Sequence, residues 1–181
     1  MDQISLDRIV QRVIDVATLK TRTYSEIARD PKALVEAAIV VVAVAISAGI
    51  GAVNYGAGGL VAGIILSLLG WVISSAIIYA VGTRVTGTPT TSGSVESLLR
   101  TLGYASAPNV LSFLGFIWIV GGLILFLLSI WTLVTTIFAI RAALNMSLTR
   151  SIITGFLALL AAAFVRILLS WILGVDIYFP I

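Results

Sequence analysis

The chain has 181 residues, of which 60% are hydrophobic and 10% are charged, and its formal net charge is +3. A soluble domain of this length keeps a largely polar surface, so this composition argues against one. The absence of histidine and cysteine excludes disulfides, imidazole or thiolate metal ligands and catalytic triads built on histidine.

Two runs without a charged side chain, residues 37–83 and 101–140, determine the fold class. Each run is far longer than the ~20 residues that cross a hydrocarbon core. We therefore predict an all-α fold, a polytopic membrane helix bundle.

Residues 1–30 form the extended polar region of the chain and are predicted to contain an amphipathic helix. Apolar residues recur there at helical spacing, namely Ile9, Val10, Val13, Ile14, Val16 and Ala17. The charged residues Asp7, Arg8, Arg12 and Asp15 face elsewhere. This pattern is typical of a helix in the membrane interface whose cationic side chains reach toward headgroups. The alternative is a cytosolic helix that packs on the protein's own loops.

Five membrane spans are predicted within a single transmembrane domain, residues 31–181. Asp30 and Pro31 suit the start of the first span, and Ser94 and Ser147 are candidate N-caps of the third and fifth. The uncharged run from Thr101 must hold two crossings, because one helix of about 60 Å would overshoot the bilayer twofold. The predicted spans are about 31–53, 60–85, 95–114, 119–142 and 148–173.

The positions of the cationic residues predict the orientation of the spans. Ten of the 11 Lys and Arg residues fall on one side of the predicted membrane: Arg8, Arg12, Lys20, Arg22, Arg29, Lys32, Arg84, Arg100, Arg141 and Arg150. By the positive-inside rule this side is cytoplasmic. The N-terminus is therefore expected inside and the C-terminus outside.

The third span contains the stretch LGYASAPNVLSF, residues 102–113, in which Pro108 and Gly103 interrupt the helical pattern. Pro108 predicts a kink, and Ser106 or a neighbouring helix is expected to bind the carbonyl that the proline frees near Tyr104. Gly103 keeps the helix thin enough for a close contact with another helix. Tyr104 and Asn109 are candidate contacts for a partner or a solute.

Small residues in the second span predict a packing seam. They are Gly59, Gly63, Ser67 and Gly70, of which the first two form a GxxxG motif that allows close approach of two helices. Packing within the chain is favoured, and a contact with a second chain is the alternative.

Two arginines are candidate partner or lipid contacts. Arg166 lies well inside the fifth span, where it is expected either to bind an anion, a lipid headgroup or a partner, or to reach the outer surface near Trp171. Arg100, at the cytoplasmic end of the third span, is interpreted as a topology anchor or a binding residue, with Glu96 one turn away as a possible ion-pair partner.

Three segments resemble the Yip family of integral membrane proteins, especially its short prokaryotic branch. They are SEIARDPKALVEAAIV at 25–40, GYASAP at 103–108 and IWTLVTTIFAIRAALNMSLTRS at 130–151. The resemblance implies five spans with the N-terminus in the cytoplasm. Eukaryotic members imply Rab GTPase binding and vesicle traffic, which we do not expect here because the DLYGP-type motif of that branch is missing.

No catalytic constellation is found in the sequence, so we predict that the protein is not an enzyme and has no cofactor. The expected function is that of an accessory or scaffold subunit, or of a membrane-organising factor, acting through protein or lipid contacts. Expected partners are membrane lipids and a membrane protein or a second copy of the chain, with no nucleic acid. The expected location is the cytoplasmic membrane of a prokaryote. The alternative function is a small transporter or channel for an uncharged solute or a lipid.

Overall fold

The structure, a computed structural model, describes residues 5–51, 56–117 and 120–173. Within these ranges all regular secondary structure is helical, as the composition predicts. The helices are α1 (Leu6–Ala17), α2 (Thr21–Arg29), α3 (Ala33–Gly51), α4 (Gly56–Arg84), α5 (Val95–Ala105), a 3₁₀ segment (Ala107–Phe116), α6 (Gly121–Leu144) and α7 (Leu148–Leu173).

The chain reverses direction between successive long elements, so that α3, α5 with the 3₁₀ segment, and α7 run one way while α4 and α6 run back. At one end of the bundle the Ser97 hydroxyl donates to the carbonyl of Ala143 (3.2 Å), which joins the start of α5 to the end of α6. At the other end the Ser47 hydroxyl donates to the carbonyl of Val110 (2.6 Å), which joins α3 to the 3₁₀ segment. The connections at 30–32, 85–94 and 145–147 therefore share one end.

We call this end, together with α1 and α2 that pack on it, the capped end. Large side chains from several helices are fully buried there, including Tyr24, Ile27, Leu98, Tyr104, Ile140 and Leu144. Tyr24 fixes α2 in place, because its hydroxyl donates to the Val16 carbonyl (2.8 Å) and its ring lies 6.0 Å from the ring of Phe138. The polar N-terminal region is thus part of the packed structure.

The described residues contain three helices that are long and apolar enough to cross a membrane: Val61–Arg84, Gly121–Leu144 and Leu148–Val165. A fourth is added if α2 and α3, which meet at an angle of 116°, are counted as one broken span. A multi-pass membrane fold is therefore supported, while five crossings and their orientation stay a prediction.

The third predicted span is not one continuous helix. Ser94 caps α5 as expected, accepting a hydrogen bond from the Ser97 amide (3.2 Å), but α5 ends at Ala105. The chain continues as a 3₁₀ segment with Pro108 in its first turn. A proline has no amide hydrogen and fits the first turn of a helix, so it starts a new segment here instead of bending an existing one.

Candidate functional site

Glu36 is the most deeply buried charged residue among those described. It lies in the first turn of α3 and its side chain is 0% exposed. A carboxylate removed from water in this way is costly unless cations and hydrogen-bond donors surround it. Its surroundings therefore define a site.

Helix α1 supplies two cations to Glu36. Arg8 pairs with one carboxylate oxygen, and Arg12 donates to the other at 2.7 Å. The two arginines stand four residues apart and so lie on one face of α1. Ile9 and Val16, buried on the adjacent face, hold α1 against the bundle.

This arrangement corrects the sequence prediction that the cations of α1 reach outward to headgroups. Arg8 and Arg12 point into the protein, where they form charge-assisted hydrogen bonds with the buried Glu36 carboxylate. A second part of the apolar surface of α1 does face outward, since Leu6, Val10 and Ile14 are 72%, 54% and 49% exposed. Helix α1 therefore packs on the protein and also presents an apolar stripe to its surroundings.

Tyr104 of α5 completes the ligation of Glu36. Its fully buried hydroxyl lies 2.6 Å from the same carboxylate oxygen that accepts Arg12. Gly103 allows this approach, because a Cβ at that position would stand 2.7 Å from the Cβ of Ala37 and 3.1 Å from its carbonyl oxygen. The glycine and the tyrosine of the GYASAP stretch thus dock α5 on α3 next to Glu36.

Asp30 extends the network to the turn between α2 and α3. Its carboxylate accepts hydrogen bonds from Arg12 (2.7 Å) and from the backbone amide of Lys32 (3.0 Å). Burial opposes ionisation of Asp30, but these hydrogen bonds outweigh it and hold the pKa of Asp30 below its ordinary value. Two arginines thus balance two carboxylates, Glu36 and Asp30.

We call these five residues, Arg8, Arg12, Asp30, Glu36 and Tyr104, the cap latch. Both Glu36 oxygens are occupied by donors from this chain, so the carboxylate is suited to holding α1, α3 and α5 together rather than to proton transfer with a substrate. In the part of the chain that the structure describes, no group of three or more acidic side chains is arranged to hold a metal ion.

The candidate contact residues of the sequence analysis are separated in the structure. Tyr104 belongs to the cap latch, whereas Arg100 donates to the carbonyl of Ala28 (3.1 Å) and lies 3.8 Å from its expected partner Glu96. Asn109 accepts a hydrogen bond from the Thr132 hydroxyl of α6 (3.1 Å). The side chain of Arg166 lies outside the described residues.

Hydroxyl groups bind the backbone around the break at Pro108. Ser106 donates to the carbonyl of Gly103 (2.7 Å), and Thr135 of α6 donates to that of Ala105 (2.7 Å). Ser47 of α3 donates to the carbonyl of Val110 and accepts from the amide of Phe113 (3.0 Å). Neighbouring side chains therefore form the hydrogen bonds that these backbone groups could not form with lipid.

The small residues of α4 do not form the internal seam expected of them. A Cβ added at Gly63 or Gly70 would meet no atom within 4 Å, so neither glycine is in close contact with another described helix. Ser67 between them is partly buried, and the surroundings of Gly59 lie outside the described residues. Close contacts are instead found at Gly103 and, within α4, at Gly82, where an added Cβ would clash with the side chain of Leu144 and stand 3.3 Å from that of Thr154.

Sequence reasoning missed Glu36, Arg8 and Arg12 as a unit. Two signals were present: a carboxylate placed one turn inside an apolar span, and two arginines on one face of an amphipathic helix. Arg12 and Glu36 are 24 residues apart in the chain, so no local sequence pattern predicts that they pair. Only the fold brings the two together.

Comparison with known proteins identifies the family. The family model of the Yip1 domain matches residues 14–171, which is most of the chain, so this protein belongs to the Yip1 domain family. No curated protein and no solved structure matches the chain. The matched region includes Glu36 and Tyr104 of the cap latch, while Arg8 and Arg12 precede it.

Proposed function

We propose that this member of the Yip1 domain family is a non-enzymatic, multi-pass membrane protein whose capped end is a contact surface for protein or lipid partners. The proposal includes five crossings, a cytoplasmic capped end and the cytoplasmic membrane of a prokaryote. Accessory subunit, scaffold and membrane-organising factor are all versions of this role.

The observation that carries the proposal is the cap latch. A fully buried carboxylate with two arginines and a tyrosine fixes α1 and α2 in one arrangement on the bundle. Buried ion pairs add little net stability but penalise other arrangements, because each alternative leaves a charge unpaired. A surface fixed in this way binds a partner with a smaller entropy loss than a flexible tail.

The test is copurification from native membranes after gentle detergent extraction, with mass spectrometry of what is recovered. We expect a stoichiometric partner or homo-oligomer with the wild type, and its loss with Glu36→Gln. The matched control is Glu96→Gln, which changes a glutamate that is 67% exposed and whose ion pair is long. Arg8→Gln, a milder change at a side chain that is 37% exposed, covers the case in which Glu36→Gln does not fold. Recovery of a clean monomer from wild-type membranes would contradict the proposal.

The orientation can be measured by sided labelling, because the chain has no native cysteine. A cysteine placed at Thr88, in the connection at the capped end, is expected to react only from the cytoplasmic side. A cysteine at Ile117, at the end of the 3₁₀ segment, is expected to react only from the outside. Reaction of both from the same side would exclude the proposed topology.

A small transporter or channel is the second candidate, and the break between α5 and the 3₁₀ segment is the observation that favours it. Interrupted helices in transporters place backbone and side-chain polar groups at membrane depth. Flux into proteoliposomes that falls on Pro108→Ala or Asn109→Leu would support this function. No flux across a broad panel of uncharged solutes and lipids would count against it.

A further inference from the structure

A second feature of the capped end lies beside the cap latch. An open cavity of about 700 Å³ is bounded by α2, the 85–94 connection, the start of α5 and the end of α6. Four arginines from three helices line it: Arg22 and Arg29 of α2, Arg100 of α5 and Arg141 of α6. No aspartate or glutamate is among its lining residues. We call it the arginine cavity.

The charges of the arginine cavity are only partly compensated. Arg22 pairs with Glu26 (2.8 Å) and Arg100 lies 3.8 Å from Glu96, but neither glutamate lines the cavity. The Nε atom of Arg100 is buried without a hydrogen-bond partner in the described structure.

The other two arginines of the cavity, Arg29 and Arg141, are exposed and have no ion-pair partner among the described residues. Since guanidinium groups stay protonated, the cavity keeps an excess of positive charge.

One wall of the cavity is the connection that leads into α5, which hydrogen bonds fasten to the end of α6. Ser92, Gly93 and Ser94 line it where α5 begins, so the positive end of the α5 dipole adds to the arginine charges. Gly93 has a φ of +147°, and a Cβ there would clash with the carbonyl oxygen of Ala143. The amide of Ser92 donates to the carbonyl of Leu144 (3.1 Å), which fastens this connection to the end of α6.

We propose that the arginine cavity binds a phosphate group, carried either by the headgroup of an anionic lipid or by a soluble phosphate ester. Planar guanidinium groups match phosphate oxygens with two parallel hydrogen bonds. Phe138, Ala142 and Met146 also line the cavity and offer an apolar surface for the rest of the ligand. The inference rests on the proposed contact function of the capped end and specifies its ligand.

Arginines that only anchor the topology give a different expectation. Such arginines set the orientation of the spans by lying near the headgroups, and they do not need to line one cavity together. Arg84 and Arg150 both lie at helix ends on the capped side and neither lines the cavity, although Arg150 also donates to the carbonyl of Thr86 (2.8 Å). They provide a control with the same change of net charge.

The test compares the full chain with two double variants, Arg29→Gln with Arg141→Gln and Arg84→Gln with Arg150→Gln. Each protein is reconstituted in nanodiscs of phosphatidylcholine with or without phosphatidylglycerol, and native mass spectrometry counts the bound anionic lipid. We expect the cavity variant to lose about tenfold in affinity for phosphatidylglycerol, because charge-assisted hydrogen bonds to phosphate are lost. The control variant should bind like the wild type.

A second arm adds glycerol phosphate to the protein in pure phosphatidylcholine. Binding in this arm without enrichment of phosphatidylglycerol assigns the site to a soluble phosphate ester, and enrichment of the lipid alone assigns it to a headgroup. An equal loss in both double variants, or no binding of either probe by the wild type, overturns the inference. Partner recovery from native membranes is measured separately, so the proposed function can stand when this inference fails.

Discussion

At the capped end, side chains from α1, α2, α3, α5 and α6 are buried together, and ion pairs and hydrogen bonds link these helices. The membrane-length windows of α4, α6 and α7 are by contrast mostly exposed, since only 11%, 17% and 17% of each is buried. Exposed apolar side chains carry no hydrophobic penalty in lipid. Helices there need only complementary shapes for packing and hydrogen bonds for their backbone groups. Residue-specific contacts are therefore concentrated at the capped end, and substitutions there should have the larger effects.

The largest effect is expected for Glu36→Gln. It leaves Arg8 and Arg12 without their fully buried carboxylate partner, and losing one member of a buried ion pair costs about 3 kcal/mol. That corresponds to roughly a hundredfold increase in the fraction of molecules with a detached cap. The reporter is a cysteine in place of Val16, a residue on the buried face of α1 that is 0% exposed and should react with a water-soluble maleimide only when α1 detaches.

A cysteine at Gln11, which is exposed, serves as the reference for labelling in every background. Glu96→Gln should leave the Val16 reporter protected. If the Val16 reporter is equally protected in the wild type and in Glu36→Gln, the packing of α1 on the bundle does not depend on the cap latch.

A smaller but still clear effect is expected for Gly103→Ala. The added methyl group would stand 2.7 Å from the Cβ of Ala37, so α3 and α5 must move apart. Overpacking of this kind costs roughly 1–3 kcal/mol. Unfolding titrations in mixed micelles measure the change, and weaker protection of the Val16 reporter should accompany it because Tyr104 is shifted away from Glu36.

The same contrast explains what the sequence could predict. Long uncharged runs and helix signals such as Ser94 depend on local patterns, so they indicated the fold class and helix ends such as those of α7 at 148–173. The family was indicated by the resemblance of three segments, 25–40, 103–108 and 130–151. The cap latch depends on residues far apart in the chain, and no local pattern pairs Arg12 with Glu36. The seam predicted at Gly63 failed for a related reason, because small residues permit close packing without requiring it.

Acidic pH should weaken the capped end moderately. The pKa of Asp30 is lowered in the folded protein, so its ion pair stabilises the fold above the unfolded-state pKa of about 3.9 and that stabilisation is lost as the pH falls through the lower, folded pKa. Melting temperatures followed by tryptophan fluorescence from about pH 7 to about pH 3 should therefore decline at the acidic end.

The matched variant for this effect is Asp30→Asn, which should flatten the acidic part of the profile. Some decline will persist, because the Lys20 ammonium also lowers the pKa of Asp15. An unchanged profile in Asp30→Asn would show that Asp30 does not link pH to stability.

The smallest effects are expected for Gly63→Ala and Gly70→Ala in α4. A methyl group at either position meets no described atom within 4 Å, and alanine is favoured over glycine in a helix by about 1 kcal/mol. Stability in detergent should therefore stay level or rise slightly, in contrast to Gly103→Ala at the capped end. A marked loss of stability or of a higher oligomeric state in native membranes would instead show that a second chain packs on this face of α4. The difference in stability between Gly103→Ala and the two α4 variants then measures how much more tightly the helices pack at Gly103 than at Gly63 and Gly70.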